Sequence, residues 1–400
     1  MRQLRGFKYR FYPTPAQRLE LAQTFGCTRF VYNWALKLRT DSYYAENKTL
    51  SYTDTSNALT KLKKDPEKPW LRQVSSVPLQ QGLRHLNTAF KNFFAGRSKY
   101  PKFKKKANRQ SATYANNAFT WFEGKLTLAK MSQPLKIKWS RYFSGEPLSV
   151  TISKDTSNRY FVSFLVEEEL EQYPTTTEKI GIDLGVKDVI VTSKGFCSGN
   201  PKYYAKYQAR LKTLQKRLAK KQKGSHNRNK ARARVAKLHA KIADCRKDFL
   251  HKLTTQLVRE NQAIYTETLA VKNMMANHKL AQAIADCGWG EALRQLAYKC
   301  QWHGRTIGAI DKWFPSSKRC NHCGSILDEL PLDVREWTCP SCKSHNQRDV
   351  NAAKNILAVG TRVGVRRKGT PTKRAVGLTV IACGDTSSGE SARLSLATCR

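Results

Sequence analysis

Lys179-Ile180-Gly181-Ile182-Asp183-Leu184-Gly185-Val186 is an apolar run that ends on an acid between two glycines. It reads as a buried β-strand. An acid inside an apolar strand is costly unless it has a partner, and Gly181 and Gly185 leave room for a close approach. Two further acids extend the pattern. Glu267 ends a second run, Ala263-Ile264-Tyr265-Thr266-Glu267, and Asp349 opens a predicted helix, Arg348-Asp349-Val350-Asn351-Ala352-Ala353-Lys354-Asn355. Alone, Glu267 is an ordinary strand-ending charge and Asp349 a first-turn acid that favours the helix dipole. Together with Asp183 they mean more, because acids so distant in sequence converge only if strands and helix pack together. Converged, they are oxygen ligands for hard divalent cations such as Mg²⁺. Two such cations clamp the attacking and leaving oxygens of a phosphodiester.

The charge balance names a partner for that chemistry. The 400 residues carry 72 Lys+Arg against 30 Asp+Glu, a formal net charge of +42. A surface so basic repels itself unless a polyanion is near, and nucleic acid is the expected polyanion. An anionic membrane is the competing one, but no apolar run has transmembrane length and no lipidation motif is present. The N-terminus, Met1-Arg2-Gln3-Leu4-Arg5-Gly6-Phe7-Lys8-Tyr9-Arg10, does not resemble a signal peptide. A cytoplasmic protein is expected. Eleven cysteines, four clustered and seven scattered, suit a reducing compartment with one metal site better than a disulfide framework.

That metal site is Cys320-x₂-Cys323 and Cys339-x₂-Cys342, with 15 residues between the pairs. Two such knuckles each supply two thiolates to a tetrahedral Zn²⁺. Gly324 gives the first knuckle its tight turn. His322 and His345 are surplus to a closed four-thiolate site, and a closed site has no open position for water, so one structural zinc is expected. A thioredoxin-like redox pair would lack its βαβ context and would not account for two knuckles.

Outward from these motifs the chain divides by texture. Phe7, Tyr9 and Phe11 alternate with cations as in a half-buried strand. Thr14, Pro15 and Gln17 read as a capping box opening a helix from about Pro15 to Glu46. A second helix is predicted from Pro78 through Leu79, Leu83, Leu86, Phe90 and Phe94, with Tyr32, Trp34, Phe90 and Phe94 assigned to the core. After the basic, aromatic stretch Pro101–Lys106, strands are predicted at 118–122, 125–128, 135–139, 148–153 and 160–167, a small barrel or sandwich that the strand at 7–11 joins. Residues 173–177 read as a linker, and two short strands at 189–192 and 194–198 follow Asp183. Residues 202–260 read as a helical hairpin turning at 223–227. Between Lys202 and Lys252 it has 18 Lys/Arg and 2 Asp/Glu. Salt-bridged surface helices mix signs, so this one-sided charge reads as a phosphate-binding surface.

The motifs also occur in a recognisable order. Gly-Ile-Asp-Leu-Gly-Val at 181–186, Glu267-Thr268-Leu269-Ala270-Val271-Lys272-Asn273-Met274, Ser316-Ser317-Lys318-x-Cys320-x₂-Cys323-Gly324 and Arg348-Asp349-x-Asn351-Ala352-Ala353-x-Asn355 resemble the TnpB (OrfB) family of transposon-encoded, RNA-guided nucleases, related to type V CRISPR effectors. Phe11-Tyr12-Pro13-Thr14-x₂-Gln17, Gly26-Cys27-x-Arg29-Phe30-Val31-Tyr32-Asn33-Trp34 and Ala89-Phe90-Lys91-Asn92-Phe93-Phe94 are similar to the family as well. The likeness spans about residues 1–359. Thr268 stands where relatives more often have an acid.

The resemblance implies an α+β multidomain protein of two lobes. A wedge-like β-barrel (1–12 and 100–178) carrying a helical recognition insertion (13–99) would form one. An RNase H-like RuvC nuclease domain (179–318 and 345–360) interrupted by a zinc ribbon (319–344) would form the other, followed by a basic tail (361–400) expected to be disordered. It implies Asp183, Glu267 and Asp349 as the catalytic triad with two Mg²⁺, a guide RNA from the transposon end, and a target double-stranded DNA cut beside a short motif, with no small-molecule cofactor beyond the metals. The expected nucleic-acid contacts are Lys216, Arg217, Lys220 and Lys221 on the hairpin, with Lys102 and Lys104. Candidates for reading the DNA motif are Tyr52, Ser56, Ser76, Gln80 and Gln81, since Gln pairs bidentately with adenine. The rival expectations are a conventional RNase H-fold transposase acting on transposon ends, and a catalytically silent RNA-guided repressor, which would be expected to lose at least one acid.

Overall fold

The computed structural model describes residues 2–278, 280–331 and 333–366. Two compact units divide after Glu169, earlier than the boundary expected near 178.

The first unit is built on β1 (Arg2–Phe11). Its inward residues Phe7, Tyr9 and Phe11 are buried, each worth roughly 2–3 kcal/mol relative to exposure. Thr14 and Gln17 form the expected capping box at the start of α1 (Pro15–Glu46), which ends on Asn47 in the left-handed region. Two short helices, α2 (Tyr52–Leu62) and α3 (Trp70–Gln73), precede α4 (Ser76–Phe94). The last begins before Pro78, which is tolerated because first-turn N–H groups need no intrahelical partner. Cys27, Val31, Leu36, Leu71, Leu79, Leu83, Leu86 and Phe90 form the helical core. Phe94 departs from expectation: it is 71% exposed at the helix end, its ring stacked on Phe90.

The strands of this unit are β2 (Gln110–Ala115), β3 (Phe119–Phe122), β4 (Lys125–Leu128), β5 (Ile137–Lys138), β6 (Pro147–Lys154) and β7 (Tyr160–Glu169). Antiparallel pairing gives a five-stranded sheet, β2-β6-β7-β1-β5, with β3-β4 a separate hairpin. The β1–β7 ladder runs unbroken from Arg2↔Glu169 to Phe11↔Tyr160. The expected barrel is therefore a sheet with two ends, over which the hairpin packs by side chains: Leu126 and Leu128 share one core with Tyr9, Val162 and Phe164. Strand β2 is absent from the sequence-based expectation, because Gln-Ser-Ala-Thr-Tyr-Ala has too few large apolar residues to show alternation.

In the second unit the residues expected to be a linker are tied down. Tyr173 stacks on His303 at 3.9 Å between centroids, and Pro174 O accepts from Arg305. A four-stranded sheet follows, formed by β8 (Lys179–Asp183), β9 (Val191–Thr192), β10 (Ala263–Thr266) and β11 (Thr306–Ala309) in the order β11-β10-β8-β9. The first three of that order are parallel to one another and β9 is antiparallel to β8. The strand expected at 194–198 is reduced to the bridge Val191↔Cys197, since Gly195, at φ +84, turns the chain back tightly.

Between β9 and β10 lies the helical hairpin α5 (Tyr203–Ala219) and α6 (His226–Glu260), joined through Leu211, Leu238 and Ile242. Then come α7 (Val271–Met274), α8 (Ala281–Cys287) and α9 (Trp289–Trp302). The small strands β12 (Glu336–Thr338) and β13 (His345–Gln347) pair with each other before α10 (Arg348–Arg366). Helix α10 packs on β8 and β10. Two glycines permit it: a Cβ on Gly181 would meet the backbone of Ala353 and Leu357, and one on Gly360 would meet the ring of Tyr265. Part of the expected tail, 361–366, is thus helical; the remainder of that expectation lies outside the described residues.

Candidate active site and metal centre

The sheet brings two of the three acids together by register. Ile182 pairs with Thr266 across the parallel β8–β10 ladder, so the next residues, Asp183 and Glu267, leave adjacent strands side by side. Asp349 comes from the first turn of α10, which packs on the same sheet. Each of the three keeps part of its surface accessible.

Electrostatics reflects the convergence. Burial pushes the Asp183 carboxyl up, and repulsion from Glu267 and Asp349 adds to it, to about 8; the Leu184 N–H and Arg348 oppose the rise. Burial also raises Glu267, against a hydrogen bond that Ser316 donates to Glu267 Oε1. Asp349 is approached by Arg335, 3.5 Å from its Oδ2. The site thus concentrates negative charge that the protein itself neutralises incompletely. Oxygen donors in that state suit a hard divalent cation. The three carboxylates are more loosely spaced than the cysteines described below, which form the one tight cluster of metal-binding side chains among the described residues.

Ser316, the Glu267 partner, was not singled out from the sequence. Neither were the roles of Asn351 and Asn355. Both are buried on α10. Asn351 donates to Arg319 O and accepts from Asn321 N; Asn355 donates to Ser316 O and Arg319 O. Their i, i+4 spacing places them on one helical face, a signal the sequence offered beside the motif that contains them. Thr268 donates to Ile310 O, tying the ends of β10 and β11. Of the two glycines expected to leave room at Asp183, Gly181 admits α10, while Gly185 faces only its own turn at Asp188.

A cleft of ≈ 770 Å³ opens beside Glu267, lined also by Lys312, Phe314, Ser316, Lys318 and Arg348. Lys318 donates to Asp328 O and Arg348 to Pro331 O, so both cations are held at the wall.

The four cysteines meet with all sulfurs within 4.8 Å of one another. The knuckles are built alike. Gly324 N donates to Cys320 O and Lys343 N to Cys339 O, while Cys320 N and Cys339 N donate to Ser325 O and Ser344 O. Gly324 and Lys343 both have positive φ, +84 and +61, so the second knuckle makes the same turn without glycine. Burial raises the Cys320 thiol, but hydrogen bonds from Ser344, the backbone of Cys323 and His322, and Cys342 outweigh it and bring it down to about 6. Hydrogen bonds from Ser344 lower the Cys342 thiol as well. The Ser325 N–H opposes a rise at Cys323, but the neighbouring cysteine thiols outweigh it and push that thiol up to about 12. Four cysteine sulfurs at this spacing fit a zinc site, which binds them as thiolates.

The expected nucleic-acid contacts divide. Lys216, Arg217, Lys220 and Lys221 are exposed on α5 and its turn, and Lys102 is exposed in the first unit. Lys104 is committed internally: its ammonium lies 4.1 Å above the Tyr32 ring, and Asn33 holds its backbone. Of the motif-reading candidates, Gln80 is exposed, while Ser56 and Ser76 are half-buried. Gln81 is turned into the helical core, which removes it from the surface. Tyr52 packs against that core, its hydroxyl accepting from Arg84.

Comparison with known proteins gives the class. Residues 161–278 match a family profile described as "Probable transposase" (OrfB_IS605), residues 289–356 a "Cas12f1-like, TNB domain", and residues 1–48 a "Helix-turn-helix domain". In that last stretch the structure has one strand and one continuous helix. A Streptomyces pristinaespiralis protein named "Putative RNA-guided DNA endonuclease" is 53% identical over 359 residues, covering 89% of each chain. InsQ of Escherichia coli K12, similarly named, is 33% identical over 387 residues, covering 91% of this chain and 94% of that one. The fold resembles that of Cas12f1 in a solved complex with sgRNA and target DNA, at TM-score 0.54 and 14% identity, over 85% of this chain and 82% of that one. The chain belongs to the TnpB (OrfB) family. No described helix is long and apolar enough to cross a membrane.

Proposed function

We propose that this protein is an RNA-guided DNA endonuclease that cuts one DNA strand at a time at Asp183, Glu267 and Asp349. The observation that carries the reading is that Asp183 and Glu267 follow directly on the register pair Ile182 and Thr266, and that burial, joined by repulsion from Glu267 and Asp349, lifts the Asp183 carboxyl to about 8. Divalent cations such as Mg²⁺, two in number, supply Lewis-acid activation of water and stabilisation of the departing 3′-oxygen when bound there. The chain's own residues do the rest. Ser316 fixes the orientation of Glu267. Asn351 and Asn355 fix α10, and with it Asp349. Four thiolates hold one structural zinc in a ribbon spanning 319–344.

The guide is a transposon-end RNA, and the target is double-stranded DNA. The hairpin at 202–252 has net charge +16 (18 Lys/Arg minus 2 Asp/Glu), which suits shape and backbone recognition of a guide or heteroduplex, with sequence read by base pairing. Gln80 is the exposed candidate for reading the adjacent DNA motif. A silent repressor is disfavoured because all three acids are retained.

The test is cleavage by the full-length protein with its co-purifying RNA. Asp183→Ala is expected to abolish cleavage in Mg²⁺ while leaving RNA and target binding nearly intact, and changing the guide segment alone should move the cut. A protein that cuts a fixed transposon-end sequence without RNA would overturn the reading in favour of a transposase.

A further inference from the structure

The loop after β11 carries a side chain that the nuclease reading leaves unused. Trp313 is 81% exposed. A single exposed apolar side chain is ordinary on a protein surface, so what matters here is what surrounds it. The loop beneath it is ordered: Asp311 Oδ1 accepts from Trp313 N, and Asp311 O from Phe314 N. Lys312 lies with its ammonium 4.3 Å from the centroid of the indole. Phe314, by contrast, packs into the small core with Tyr265 and Ile356.

Position gives the exposed indole its meaning. Trp313 itself is not in the cleft wall, but its neighbours on both sides, Asp311, Lys312, Phe314, Pro315 and Ser316, line the cleft that Glu267 opens into. Ser316, three residues beyond Trp313, is the residue bonded to Glu267, so at most about 10 Å of chain separates them. An aromatic face beside a cation is the pattern that holds unpaired nucleotides, the ring stacking a base and the cation meeting its phosphate. A duplex offers no free base face. A strand reaching a single carboxylate site does.

We propose that Trp313 and Lys312 form a stacking platform at the rim of the cleft, which seats an unpaired base of the DNA strand and positions the neighbouring phosphodiester toward Glu267. The inference rests on the nuclease reading and adds to it a residue that positions substrate without touching the reacting atoms.

The experiment uses the full-length protein with its co-purifying RNA and a matched duplex, followed by single-turnover cleavage. Trp313→Ala should slow cleavage about tenfold or more, as loss of one base–aromatic stack does, with zinc content and target binding unchanged. Trp313→Phe should restore the rate to within about threefold. An abasic-site scan of the DNA should find one position near the cut where the missing base costs the wild type as much as Trp313→Ala does, and costs Trp313→Ala nothing further. Wild-type rates in Trp313→Ala, no rescue by Phe, or abasic losses that simply add at every position would each overturn the platform while leaving the nuclease standing. A wild-type complex that fails to cut matched DNA would overturn both.

Discussion

Gly181 on β8 lies against Leu357 on α10 so closely that a Cβ at Gly181 would come within 2.7 Å of the Leu357 backbone nitrogen, and nearer still to Ala353 O. Strand and helix meet backbone to backbone, two residues before Asp183. Gly181→Ala is therefore expected to force the helix away. Overpacking costs about 1–3 kcal/mol even where flexible side chains can yield, and here the obstacle is backbone. The expected outcome is a lower unfolding temperature and a loss of cleavage larger than the loss of stability accounts for, because Asp349 moves with α10. Unfolding by circular dichroism and single-turnover cleavage measure the two effects; unchanged stability would contradict the packing.

Zinc analysis of the purified protein should give one atom per chain, and Cys339→Ser should lose it. Structural zinc binding is coupled to folding, and the first knuckle is clamped to α10 through Asn351 and Asn355. Protease sensitivity is thus expected to rise around residues 319–344 and to spread into the start of α10. A zinc-free variant with the same proteolysis pattern and melting temperature would refute the coupling.

Neutralising Lys216, Arg217, Lys220 and Lys221 should weaken binding to different guide RNAs about equally. Phosphate contacts carry no sequence information, and each one lost should flatten the salt dependence by roughly 0.7–0.9 in log–log slope. Titrations at several salt concentrations decide it; a guide-selective loss would mean that these side chains read bases.

Lys299 supplies a pH prediction away from the acids. It is buried between α6 and α9, donating to His251 O, Thr254 Oγ1 and Thr255 Oγ1. Burial lowers its ammonium from 10.5 to about 8, against the attraction of Glu291. A lysine lowered on folding is less protonated in the native than in the unfolded chain between those values, so its penalty is full below about 8 and is relieved as pH rises toward 10.5. The wild type should gain stability over that window relative to Lys299→Met. Parallel stability–pH curves for the two proteins would exclude the effect.

What the sequence revealed was set by the strength of local signals. Asp183 stood out because a carboxylate in an apolar strand costs stability unless it binds something, and the paired knuckles because their spacing suits a metal and little else. The capping box at Thr14 and Gln17 and the strand-borne acids sit where local chemistry put them. Ser316 did not stand out, because its partner Glu267 is 49 residues away and nothing local marks a serine as an acceptor's anchor. Gln81 reads as a polar surface residue, but α4 buries it together with Gly82 and Leu83, an inward face wider than the apolar stripe marks. Strand β2 was hidden by small residues, and Phe94 continued a helical apolar spacing past the point where there was core left to cover.

The clamp of α10 on the first knuckle has a consequence for how the family can vary. The chain enters the ribbon at Arg319 and Asn321, gripped by Asn351 and Asn355, and leaves it at Arg348, whose N–H donates to Arg335 O. Entrance and exit are moored to the first two turns of one helix. Residues added or removed between the first knuckle and Pro331 would change the length of the ribbon while Arg335 keeps its place beside Asp349, so that stretch is free to diverge in length while the acid stays put.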